Sequence, residues 1–155
     1  MAESELFTVS LNKSMAQCSH KELCKEDIHK KLALWGVADD DIERIIDILV
    51  KEKFIDETRY ASAFVRDKFK YNKWGKVKIA SHLKSKRIPS AIISQALGSI
   101  DHDQYVRFLQ GLLEVHKRSV KAKNQIDLKS KLLRYALSKG FESSLVYDVI
   151  NEIVQ

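Results

Sequence analysis

The chain has little that breaks a helix. Its 155 residues include one proline and five glycines. Turns are therefore sparse, and a β-protein built on frequent hairpins is excluded. Two cysteines, Cys18 and Cys24, are too few for a disulfide framework. With His20 and His29 they form "CSHKELCKEDIH", whose spacing matches none of the usual zinc-ligand pairs. Both cysteines read as small packing residues, and neither a metal nor a cofactor is expected. No apolar run approaches the ~18 residues that a membrane-spanning helix needs. The start, "MAESELFTVSLNKS", is acidic and lacks the long apolar core of a secretory signal. A cytoplasmic protein without membrane contact is the expectation. Glycine-rich phosphate loops, HExxH and G-x-S-x-G are all absent, which argues against an enzyme.

What is present is a helix-former's composition, rich in Leu, Ile, Lys, Ala and Glu, with 45% apolar residues. That is too apolar for a disordered chain. Ile42, Ile45, Ile46 and Leu49 follow the i, i+3, i+4, i+7 pattern of an amphipathic helix. Ile28, Leu32 and Leu34 mark another, and "WGVADDD" separates the two. Gly36 stands where a C-cap glycine belongs, and Asp39 or Asp40 can cap the next helix. Asp56 caps a further one, which carries Tyr60, Ala61, Phe64 and Val65 at helical spacing.

The pattern recurs. Ile28, Leu32, Gly36, Val37 and Ile42 are matched in spacing by Ile79, Leu83, Arg87, Ile88 and Ile93. Leu132, Ala136, Gly140, Phe141 and Val146 match them again. A period near 50 suits three helices per unit, each unit touching mainly its neighbours. The expected fold is all-α, with three tandem three-helix repeats at 1–55, 56–100 and 101–155. Helices are expected near 9–18, 22–35, 39–52, 57–71, 75–86, 89–98, 102–120, 125–138 and 143–154. Pro89 fits a helix's first turn, where its missing N–H costs nothing. Arg87 replaces the glycine of the other units. If the turn is left-handed, a side chain there costs about 1 kcal/mol.

Charge is unevenly spread. Residues 1–67 have net charge −4 and residues 68–155 have +10. No acid lies between Asp67 and Asp101. Within that gap "KYNKWGKVKIASHLKSKR" (70–87) carries seven Lys or Arg. A helix charged only for solubility mixes its signs, so Lys73, Lys76, Lys78, Lys84 and Arg87 are candidate contacts to an acidic partner. Trp74 either stacks on a base or partner residue, or anchors the start of a helix. A second basic segment, 116–134, adds Arg118, Lys121 and Lys123. Charge alone does not distinguish DNA, RNA, a membrane headgroup or an acidic protein groove.

Phe54-Ile55-Asp56, Arg59-Tyr60-Ala61, Phe64-Val65-Arg66, Trp74-Gly75, Lys78-Ile79, Leu83 and Ile88 together resemble RecX, the family of bacterial regulators of the RecA recombinase. The likeness is strongest over residues 16–100. The third unit shares the helical pattern and charge. Where the family has a "KGI" turn this chain has "KRI" (86–88). The resemblance implies an elongated, curved array of three-helix repeats, monomeric, that binds in the groove of a RecA filament and tunes recombination. It also implies weak contact with single- or double-stranded DNA. A helical module acting directly on DNA is the alternative.

Overall fold

The computed structural model describes residues 4–155. Met1 to Glu3, part of the expected first repeat and of its acidic start, lie outside the described residues. Among those described there are nine helices and no strand: α1 (Glu5–His20), α2 (Lys25–Leu34), α3 (Asp39–Lys51), α4 (Glu57–Lys70), α5 (Lys76–Ser85), α6 (Ser90–Gly98), α7 (His102–Ser119), α8 (Gln125–Ser138) and α9 (Ser143–Ile153). None is long and apolar enough to cross a membrane.

The recurring pattern is a recurring structure. Ile28, Ile79 and Leu132 are fully buried, as are Leu32, Leu83 and Ala136 one turn on. At about 1.5–3 kcal/mol per large aliphatic side chain, these positions are a main source of stability. Each of these helices ends in the same left-handed turn. Gly36, Arg87 and Gly140 have φ of 83°, 59° and 90°. Their N–H groups donate to Ala33, Lys84 and Leu137, and those of Val37, Ile88 and Phe141 reach back to Leu32, Leu83 and Ala136. This paired ladder satisfies carbonyls that a helix end otherwise leaves bare, and the apolar residue that follows is buried each time. Arg87 thus holds a conformation in which glycine is at ease. Lys53, which the sequence reading passed over, does the same after α3 at φ 63°.

Some local expectations are corrected. The N-cap of α3 is Ala38, in extended backbone and without a side-chain bond. Asp39, Asp40 and Asp41 fill the first turn instead, where their charge favours the helix dipole. Helix α2 begins at Lys25 rather than near 22, because Cys24 takes the cap position and its N–H donates to Asp27 Oδ2 at 3.3 Å. Helix α1 starts at Glu5, capped by the Ser4 hydroxyl, which accepts from Phe7 N. Pro89 stands just before α6, its carbonyl accepting from Ile93 N at 3.1 Å. Asp56 caps α4 as expected, accepting from Arg59 N at 3.0 Å.

The chain divides into two compact units. The first comprises residues up to Phe64 with Leu83–Ile93, and the second Val65–His82 with Ser94–Gln155. The core of the first unit gathers Phe7, Leu23, Ile28, Leu32, Val37, Ile42, Ile45, Leu49 and Ile55. Arg59 ties it together, pairing with Glu22 at 2.5 Å and donating to the carbonyls of Lys53 and Phe54. The core of the second unit is built from Tyr105, Leu109, Leu113, Leu132, Ala136, Phe141 and the apolar face of α9.

Candidate binding surface

In the second unit, the turn between α4 and α5 gathers cations around one indole. Lys73 takes a left-handed backbone, φ 60°, and the chain doubles back so that Trp74 N–H donates to Lys68 O at 3.0 Å. The half-buried Trp74 ring then has Lys78 Nζ 4.8 Å and Lys68 Nζ 5.1 Å from its centroid, with the His82 ring at 4.6 Å. Each such cation contact is worth about 0.5–1 kcal/mol at an exposed site. Trp74 is therefore an organiser of charge as well as a packing residue. Lys68 and His82 were not singled out in the sequence. Their one signal was position: Lys68 in the last turn of α4, His82 one turn beyond Lys78.

Lys76 is placed differently. Its Nζ lies 4.7 Å from the centroid of Tyr105, and its backbone N–H donates to the Tyr105 hydroxyl at 2.9 Å. That hydroxyl is buried and donates to Glu142. Burial first, and the neighbouring carboxylate second, push the Tyr105 pKa well above its usual value. Beside it, Gly75 N donates to Lys139 O at 2.7 Å and Val77 N to Gly140 O at 2.9 Å. The amino end of α5 thus meets the carbonyl end of α8, two complementary dipole ends. Because these amides are already bonded, they offer no anion cradle. Binding here must rest on side chains. The junction also explains Trp74-Gly75 physically. A β-carbon on Gly75 would stand 2.5 Å from Gly140 C and Phe141 N, and closer still to Gly140 O.

The remaining candidates lie elsewhere. Lys84 and Arg87 belong to the first unit and are exposed. The Arg87 side chain is 84% exposed and lies 3.6 Å from Glu26. Lys86 between them has a structural role, bonding Asp27 Oδ1 at 2.5 Å. Burial opposes ionisation of Asp27, but the bonds from Lys86 and Cys24 outweigh it and hold the carboxyl below its usual range. The same bond raises the Lys86 pKa. Burial pushes the Cys24 thiol up to about 11. Cys18 packs partly buried against the core of the first unit. Among the described residues no three His, Cys, Asp or Glu side chains converge as metal ligands would.

Arg118, Lys121 and Lys123 are exposed around the α7–α8 connection. At ~1.5 Å per residue, Arg118 is about 20 Å along α7 from Tyr105. The connection is laced from within: Lys123 N donates to Asp127 Oδ2 at 3.0 Å and Lys131 Nζ to Lys121 O at 2.5 Å. The Lys123 amide, and then Lys131, hold the Asp127 carboxyl below its usual value. The structure therefore brings Lys78, with Lys68, to the Trp74 ring, places Lys73 in the turn before it, and joins Lys76 to them through α5. It leaves Arg118, Lys121 and Lys123 as a distinct group.

Known proteins resemble this chain in sequence and in fold. Residues 56–97 match the family model for RecX, second three-helix domain. The regulatory protein RecX of Clostridium botulinum (strain Eklund 17B / Type B) is 32% identical over 133 residues, covering 84% of this chain and 61% of that protein. The chain spans 61%, 60% and 53% of the length of the regulatory proteins RecX of C. botulinum, C. tetani and C. acetobutylicum. A crystal structure of regulatory protein RecX superposes with a TM-score of 0.86 at 24% identity, over 96% of this chain and 72% of that one. The crystal structure of RecX from Lactobacillus salivarius gives 0.82 at 22% identity, over 96% and 97%. At those identities the two structures establish the fold.

Proposed function

Because the chain belongs to the RecX family of regulatory proteins, we propose that it acts by binding the filament groove of a RecA-type recombinase on DNA, lowering ATP hydrolysis and strand exchange without catalysing a reaction itself. The observation that carries this is the cation cluster around Trp74, set in a stretch without acids. Lys73, Lys76 and Lys78 offer charge to phosphates or carboxylates, while Lys84, Arg87, Arg118, Lys121 and Lys123 supply further exposed contacts. We take the chain as three repeats, 1–55, 56–100 and 101–155, working as a cytoplasmic monomer. Several weak contacts joined in one chain bind tightly through high effective concentration.

The direct DNA-binding reading is favoured by one observation, the indole edged by ammonium groups, since aromatic rings and cations also hold single strands. Preformed recombinase filaments distinguish the two. A filament regulator inhibits at concentrations too low to cover the DNA, and excess DNA does not rescue the reaction. Inhibition that appears only at DNA saturation, and is relieved by added DNA, overturns the proposal.

A further inference from the structure

The second unit has a cleft that the basic cluster does not use. Its cavity, about 370 Å³, is lined by Val65, Phe69, Ile100 and Phe108, with Arg66 and Lys70 at the rim and Ser99 and Gln104 completing the wall. That is within the ~300–1,000 Å³ of built ligand clefts. We propose that this cleft is a docking site for an acidic protein segment, which inserts one bulky apolar side chain and sets a neighbouring carboxylate against Arg66 or Lys70.

The chemistry of the lining selects this occupant. Val65 and Phe69 are one helical turn apart on α4, so both face the cleft, and Arg66 and Lys70 repeat that spacing beside them. These two apolar wall residues thus each have a cation next to them in sequence. Among the described residues no acid lines the cleft. Asp67 lies 3.7 Å from Arg66 on the outer surface, where both side chains are more than half exposed and solvent weakens the pair. Asp101 is committed to capping α7, accepting from Gln104 N at 2.9 Å. The Ser99 hydroxyl is turned inward to Ala96 O. The cleft can therefore reward an apolar anchor and a negative flank, and little else. Nucleic-acid bases fit less well. The Phe69 ring already packs against Tyr105 at 5.8 Å and Phe108 at 4.4 Å, so part of its surface is engaged by other rings. A buried anchor ringed by weaker polar contacts is the usual anatomy of a protein hot spot.

The test uses the full chain and two fluorescein-labelled twelve-residue peptides, both rich in Glu and Asp, one with a central Phe and the other with Ser there. Fluorescence anisotropy at low salt should show the Phe peptide binding at least about tenfold more tightly than the Ser peptide. The exposed pair Arg66→Glu/Lys70→Glu should weaken the Phe peptide by a similar factor. Gln104→Trp, which fills the cleft from an exposed position, should do so without changing charge. Lys51→Glu, at an exposed cation that ends α3, should leave binding unchanged. Equal affinity for the two peptides, no binding up to millimolar concentration, or indifference to both cleft variants overturns the proposal. So does displacement of oligo-dT by the Phe peptide, or a self-association abolished by Gln104→Trp, since these place nucleic acid or a second copy in the cleft. The probe contains neither recombinase nor DNA. Its failure therefore leaves the filament reading standing, and loss of filament binding leaves the cleft standing.

Discussion

Gly75 and Gly140 meet backbone to backbone, and replacing either by alanine should cost far more than at Gly36. A Cβ on Gly36 meets nothing within 4 Å, so Gly36→Ala carries only the left-handed strain of φ 83°, about 1 kcal/mol. Gly140→Ala adds a clash to the same strain. Its Cβ would lie 2.6 Å from Lys78 N and closer to Lys78 Cβ, an overpacking of about 1–3 kcal/mol, for a total of about 2–4. Gly75→Ala should cost a comparable amount for a different reason. The atoms it strikes are all backbone and cannot rotate away, and the α5 amides on Lys139 and Gly140 are worth about 1 kcal/mol each. Gly111, within α7 and in open space, is the opposite control: its change to alanine should stabilise by about 0.5–1 kcal/mol. Urea unfolding reads all four, since an m-value of about 1–3 kcal/mol/M turns these costs into separable midpoints. If Gly75→Ala unfolds at the same urea concentration as Gly36→Ala, the junction is not holding the two helix ends together.

Reversing charge at Lys73, Lys76, Lys78 and Arg87 should weaken binding to a recombinase–DNA filament and flatten its salt dependence, by slightly under one unit per lost phosphate contact on duplex DNA. The fold should survive: Lys73 and Arg87 should cost within about 0.5 kcal/mol each, and Lys76 and Lys78 somewhat more for their lost ring contacts. Unchanged affinity and slope would return these cations to simple solvation. The Cys24 thiol makes a pH prediction. Its folded pKa of about 11 stands above the ordinary 9.0, so its stabilising contribution is complete below pH 9 and is lost as pH rises to 11. Urea midpoints at pH 8 and pH 10 should fall less for Cys24→Ala than for the parent chain. Equal falls would show that the thiol is not held neutral by burial.

Most of the helical skeleton was legible because it is written in local terms. The buried positions Ile28, Ile79 and Leu132 follow from spacing. The left-handed turn at Arg87 follows from the two glycines that stand at its equivalents. The Asp56 cap follows from residue type. What was hidden depends on partners distant in sequence or on competition between neighbours. Ala38 caps α3 because the chain enters extended one residue before three equally plausible aspartates. Lys68 joins Trp74 only because Lys73 turns the backbone over. Lys86 lies in the same basic stretch as the candidate cations, and its structural role rests on Asp27, 59 residues away. The sequence named Gly75 as part of a motif, but its reason lies in a turn that follows α8.

The junction between α5 and α8 also has a consequence in time. A chain made from its amino end exposes Gly75, Lys76 and Val77 long before the groups that complete their amide bonds exist. Lys78 and Ser138, which meet at this junction, are 60 residues apart. At about 5–20 residues per second, the first turn of α5 waits roughly 3–12 s for its acceptors. During that interval water must solvate these amides, and the segment carrying the densest positive charge lacks its final support. The basic turn is thus among the last features of the molecule to set, although it lies near the middle of the chain.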